Sequence, residues 1–212
     1  SGLSATTFLA QLRLDKILSQ LREGDYVICE FGHNDEKEKR AGDGAWYSYS
    51  RNLKIFADRV REKGGHIIFV TPTARRFFND DQTTLRYTHG DYPEAMRAVA
   101  RRENVPLIEL NGMTRQFYEA LGFEGSKRSL VHYPANTFPD QPEPLADNTH
   151  FNPFGAWEIA KMIVMGLKLI DCPLVQHLRP DWQDFDPAHP DDPDAFAWYP
   201  SGVSQMTKPD GN

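Results

Sequence analysis

Two short clusters, far apart in the chain, carry the side chains best suited to chemistry. The first is Phe31-Gly32-His33-Asn34-Asp35, which follows Tyr26-Val27-Ile28-Cys29-Glu30, a run that reads as a buried parallel strand. Ligands of open α/β sheets bind beyond the carboxyl ends of the strands, so Asn34 stands where chemistry is expected. A neutral amide there can donate a hydrogen bond to an oxygen that becomes negative in a transition state, which points to acyl transfer. Gly, Asn and Asp equally suit an ordinary turn, and this segment alone leaves both readings open. The second cluster is Asp147-Asn148-Thr149-His150, followed by Asn152-Pro153. Asn152 is a good N-cap and Pro153 a good first helical residue, which places His150 in the loop entering the last helix. An Asp three residues before a His can bond the imidazole, fix its tautomer and stabilise the imidazolium formed in general-base catalysis. Either cluster alone is a common pattern; their pairing suggests a hydrolytic site.

The elements that must position these clusters read as a repeat of strand and helix. A helix over 7–21 carries Leu14, Ile17, Leu18 and Leu21 on one stripe and leads into the strand that ends at Gly32. A helix over 45–63 turns Leu53, Phe56 and Val60 inward and stops at Gly64-Gly65. There follow a strand over 66–71, a helix opened by Asp91 and Pro93 with Met96 and Val99 inward, and a strand over 105–110. A short helix over 113–121, a loop, and a last helix ending near Ile170 complete the order, the last with Ile159, Met162, Ile163 and Leu167 on one face. This alternation predicts an α/β fold with a parallel sheet and helices on both faces. The almost wholly apolar strand at Ile28 suits a strand with neighbours on both sides better than an exposed edge. It requires a partner that none of the three visible strands supplies.

The segments Gly32-His33-Asn34-Asp35 and Asp147-Asn148-Thr149-His150-Phe151-Asn152 together resemble blocks III and V of the SGNH (GDSL-type) hydrolases, in wording closest to the rhamnogalacturonan acetylesterase branch. Ser1-Gly2-Leu3-Ser4-Ala5, Thr71-Pro72-Thr73-Ala74-Arg75-Arg76 and Thr88-His89-Gly90-Asp91-Tyr92-Pro93-Glu94-Ala95-Met96 resemble it as well, so the likeness runs from the first residue to about Leu169. The resemblance implies a three-layer α/β/α sandwich of the flavodoxin-like SGNH type. It implies that Asn34 is an oxyanion donor, the Gly2 N–H a second one, His150 the general base and Asp147 its orienting carboxylate. It also implies a nucleophile serine in a Gly-Asp-Ser turn after a first strand, and that tripeptide does not occur in the sequence. The expectation is therefore a chain from which the N-terminal strand or strands with the serine are missing, with a separate N-terminal fragment as a candidate partner. The implied activity is removal of O-acetyl groups from a pectic, rhamnogalacturonan-like polysaccharide by a secreted or periplasmic esterase that needs no cofactor. The alternative is a non-catalytic carbohydrate-binding pseudoenzyme or inactive fragment, which would bind sugar without turning over esters.

Composition sets the remaining bounds. The 212 residues suffice for a domain with a sizeable core, and no apolar run is long enough to cross a membrane. A net charge of −6 without a basic stripe argues against nucleic acid as a partner. Residues 1–172 read as the hydrolase domain, and 173–212 as a Pro- and Asp-rich tail packed on it through Trp182, Phe185, Phe196, Trp198 and Tyr199, with sugar stacking as the other use of these rings. Cys29 and Cys172 read as buried thiols, and the scattered histidines lack the spacing of metal ligands. Arg75, Arg76, His33 and His89 fall in loops at the catalytic edge of the sheet. There a guanidinium could pair with a galacturonate carboxylate, or simply face solvent with a salt-bridge partner.

Overall fold

The computed structural model describes residues 2–198, which divide into two compact units. The first comprises 2–72 and 89–109, the second 73–88 and 110–198.

In the first unit, three strands form a parallel sheet in the order β1-β2-β3: β1 over Tyr26–Glu30, β2 over His66–Val70 and the two-residue β3 over Leu107–Ile108. The helices are α1 (Ala5–Ala10), α2 (Arg13–Gln20), α3 (Ser50–Glu62) and α4 (Tyr92–Arg102). Their apolar stripes meet the sheet in a core that includes Leu14, Leu53, Phe56, Val60, Phe69, Met96 and Val99. The expected single helix over 7–21 is two helices, because Leu12 takes a left-handed conformation at φ 56° and bends the chain. Each piece is aimed separately: α1 by the Ser4 capping box with Thr7, α2 by burial of Leu14 and Leu18. A single π-helical turn over Ala45–Tyr49 leads into α3, and Ser50 Oγ–H donates back to the Ala45 carbonyl at 2.6 Å. Asp91 occupies the N-cap of α4 without a side-chain capping bond; its carboxylate accepts from Trp46 Nε1–H at 3.0 Å instead.

Among the described residues, the strand at Ile28 lacks the second neighbour that its apolar run calls for. β1 lies at the edge of the three-stranded order, and Ile28 is 46% exposed, while Cys29 on the opposite face is buried. Helices cover one face of the strand, and among the described residues of this unit nothing covers the other to the same degree.

The second unit contains α5 (Leu110–Gly125), interrupted at Gly122, then β4 (Leu130–Tyr133) antiparallel to β5 (Leu145–Phe151), and α6 (Pro153–Leu169). The periodicity of the chain does not announce β4 and β5, since β5 reads Leu-Ala-Asp-Asn-Thr-His-Phe and buries none of its residues fully. Asn152 fixes the junction of β5 with α6. Its Oδ1 accepts the Gly155 N–H at 3.0 Å, while its Nδ2 donates to the carbonyls of Arg128 at 2.7 Å and Leu130 at 3.0 Å. α6 also buries a charged pair, Glu158 and Lys161, with Nζ 2.7 Å from Glu158 Oε1 and 2.7 Å from Asp191 Oδ2. Burial pushes the Glu158 carboxyl up despite the adjoining ammonium. The segment after α6 returns to this helix: Phe196 packs edge-on against Phe154 at 5.6 Å, and the Phe185 ring lies 4.1 Å from Lys161 Nζ. Tyr199 lies outside the described residues.

Candidate active site

The first unit holds one of the two candidate clusters, at the carboxyl end of β1. Gly32, at φ 139°, takes the chain off the strand, and a Cβ there would stand 2.9 Å from the Pro72 ring, so the bend needs glycine twice over. Asp35, 4% exposed, then reaches back with both oxygens. Oδ1 accepts the Ala5 N–H at 2.9 Å and Oδ2 the Gly32 N–H at 3.0 Å. One carboxyl thereby fastens the start of α1 to the end of β1. Burial raises its pKa to about 6 against the opposing pull of these N–H groups.

This fastening brings residues 2–3 beside Asn34, whose Nδ2 lies 3.4 Å from the Leu3 carbonyl. The Asn34 Oδ1 accepts from Lys37 Nζ at 2.9 Å, which leaves the amide N–H face as its donor side. Gly2 is exposed at φ 80°, with open space where a Cβ would be. His89 is buried, its Nδ1 3.1 Å from Glu36 Oε2, and the half-buried His33 ring meets it edge-on at 4.4 Å.

The second unit holds the other cluster. His150 Nδ1 and Asp147 Oδ2 are 2.6 Å apart, and Asp147 Oδ1 accepts the N–H groups of Thr149 at 2.7 Å and His150 at 3.0 Å. Burial alone would push the Asp147 carboxyl up; these main-chain bonds and the His150 ring outweigh it and hold the carboxyl below its ordinary range. A carboxylate on Nδ1 makes that nitrogen the protonated one and leaves Nε2 free to accept a proton. The imidazole is 76% exposed. His150 does not stand in a loop, as its sequence neighbours suggested, but in β5. The register of β4 and β5 explains how a strand presents it. Leu130 pairs with Phe151 and His132 with Ala146, so Val131 alone faces the whole of Asp147–His150. This wide bulge releases the segment from the ladder and re-aims its side chains.

Arg76 requires a correction. It is not a substrate arginine at the sheet edge: it is 5% exposed, and its guanidinium is spent inside the second unit. Nε donates to Ser126 Oγ at 2.8 Å, Nη1 to Asn148 Oδ1 at 3.1 Å and Nη2 to the Phe123 carbonyl. Arg75 is half-buried in the same segment. Sequence reasoning missed Asp35 as a fastener, and Asn148 and His132 as neighbours of the histidine pair. The only available signal was adjacency to Asn34 and Asp147, because no periodicity marks such residues. Among the described residues no three His, Cys, Asp or Glu side chains gather as a metal site, and no helix is long and apolar enough to cross a membrane.

The three-stranded parallel sheet with its helices marks an α/β protein of flavodoxin-like type. The chain belongs to the GDSL-like lipase/acylhydrolase family, whose sequence model matches residues 1–157. It is similar to the rhamnogalacturonan acetylesterase RhgT of Bacillus subtilis (strain 168), 41% identical over 177 residues that cover 84% of this chain and 75% of that protein. A probable rhamnogalacturonan acetylesterase, YesY, of the same strain is 31% identical over 179 residues, covering 84% of this chain and 77% of that protein. Among solved structures, the Bacillus subtilis protein YXIM shares the fold with a TM-score of 0.65 at 24% identity, over 82% of this chain and 45% of that one. The acetyl xylan esterase AlAXEase shares it with a TM-score of 0.58 at 17% identity, over 79% of this chain and 77% of that one.

Proposed function

We propose that this protein is a carbohydrate esterase that removes O-acetyl groups from a pectic, rhamnogalacturonan-like polysaccharide by serine-type acyl transfer. The observation that carries the reading is the 41% identity to a rhamnogalacturonan acetylesterase over 84% of the chain. In this reading a serine attacks the ester carbonyl while His150 Nε2 takes its proton. Asp147 holds the opposite nitrogen and balances the imidazolium charge. Asn34 and the Gly2 N–H donate to the tetrahedral oxyanion, the sugar hydroxyl leaves with the proton from His150, and water then releases acetate from the acyl-serine. Arg75 and His33, both half-buried, remain candidates for the alcohol side of the substrate, whereas His89 is as enclosed as Arg76, at 4% exposure.

No Gly-Asp-Ser turn occurs in the sequence, so this reading assigns the nucleophile to none of its serines. A polysaccharide substrate is too large to enter a cell intact, which favours a secreted or periplasmic enzyme. The test is acetate release from acetylated rhamnogalacturonan and from acetylxylan, by the chain alone and with a Gly-Asp-Ser segment restored. Release that needs the segment, prefers the pectic substrate and falls by several orders of magnitude in His150→Ala supports the assignment. Sugar binding without acetate release in the restored protein would replace it with a carbohydrate-binding module.

A further inference from the structure

We infer that Asn148, clamped between Arg76 and His132, is the positioning residue that sets the geometry of the Asp147–His150 pair. The inference rests on the reading of His150 as general base but concerns a different group. A bulge releases Asp147–His150 from the β4–β5 ladder, and a released segment needs other bonds to hold one conformation. Asn148 collects them. Its main-chain carbonyl accepts the Arg76 N–H at 2.9 Å. Its Oδ1 accepts twice, from Arg76 Nη1 at 3.1 Å and from His132 Nε2 at 2.9 Å. Because Arg76 Nη1 can only donate, Oδ1 is the acceptor atom of the amide, and His132 carries its proton on Nε2.

The clamp has a rigid base. Arg76 is buried between the Phe78 and Phe123 rings, 5.5 and 4.9 Å from their centroids, and its remaining nitrogens bond Ser126 and the Phe123 carbonyl. His132 belongs to β4, the strand facing the bulge. Two anchors from separate parts of the second unit therefore converge on the one residue that follows Asp147 and precedes Thr149, whose N–H Asp147 accepts. A small displacement of Asn148 would change the reach of Asp147 to the imidazole, and errors of about 1 Å in such placement can cost roughly a hundredfold in rate.

The test compares Asn148→Leu, which keeps the size but removes the acceptor, with Asn148→Asp, which restores an acceptor for both anchors. Kinetics of the active enzyme are paired with proton NMR of the His150 Nδ1–H in this chain, a readout that needs no turnover. The expected result for Asn148→Leu is a fall of about ten- to a hundredfold in kcat with KM little changed, and loss of the Nδ1–H signal. Asn148→Asp recovers most of the rate and the signal. If Asn148→Leu does not fold, His132→Phe, which removes one of the two side-chain donors, is expected to show a smaller loss of the same kind. An unchanged signal and rate in folded Asn148→Leu or His132→Phe overturns the inference, as does a KM effect alone. Normal turnover in His150→Ala, beside an Nδ1–H signal that Asn148→Leu still abolishes in the chain with His150 intact, would instead sink the base assignment and leave the clamp standing.

Discussion

Each candidate catalytic residue is held by a neighbour whose loss should be measurable. Asn34→Ala removes a donor aimed at the developing oxyanion and should lower kcat by about a hundredfold or more without unfolding the protein. An unchanged rate of acetate release would take Asn34 out of the oxyanion hole. Asp35 serves stability, and its pH dependence has a definite sign. A carboxyl whose pKa is raised by burial to about 6 binds its proton in the folded state at pH values where the unfolded chain has released it. Its contribution is therefore greatest below about pH 4 and declines as pH climbs through about 6, by up to roughly 3 kcal/mol. Asp35→Asn cannot titrate, and it sets an amide N–H₂ against the Ala5 or Gly32 N–H. The variant should be less stable than the parent, with the gap in melting temperature narrowing between pH 4 and pH 7. Parallel melting curves across that range would show that Asp35 does not titrate there.

The elements were legible to unequal degrees, and the reasons are physical. α3, α4 and α6 carry long apolar stripes with caps or stops, and their positions follow from the residues. The split of 7–21 into α1 and α2 does not, because Leu12 adopts a left-handed conformation under tertiary direction rather than by its own preference. β5 was hidden for another reason: it buries little, and its ladder is broken where Asp147–His150 bulges out. Asn152 was legible as an N-cap, yet the sequence could not reveal its second task. Its amide also satisfies two carbonyls around β4, so cap preference misleads at this position. Asn152→Asp retains the cap and turns a carboxylate towards those carbonyls. We expect a loss of about 1–3 kcal/mol in chemical denaturation, although Asp and Asn cap helices equally well. A stability equal to the parent would mean that solvent satisfies both carbonyls. At the same junction a Cβ on Gly155 would lie 1.9 Å from the Ser129 carbonyl oxygen, so Gly155→Ala must displace α6.

At the scale of the molecule, charge links the protein to its proposed substrate. A chain of net charge −6 working on a polyanion of uronate residues meets repulsion that salt screens over about 10 Å at 0.1 M. kcat/KM on the polymeric pectic substrate should therefore rise with ionic strength up to that range, while hydrolysis of a small neutral acetyl ester stays level. A fall with salt on the polymer would point to a local basic surface that outweighs the net charge. The residues alone determined the α/β class, the three parallel strands and the pairing of Asp147 with His150, because these follow from apolar periodicity and from separations of a few residues. They also determined the family, through two short segments whose chemistry is legible out of context. The tertiary structure decided what depends on partners remote in the chain. Arg76, an arginine beside a strand end, became a buried clamp because Ser126, Phe123 and Asn148 converge on it. Asp35, an ordinary turn residue by its neighbours, became the fastener of α1 to β1 because the Ala5 N–H reaches it from the far side of the turn. Hydrogen bonds that close over many residues leave no period in a sequence, and only the folded chain shows where they end.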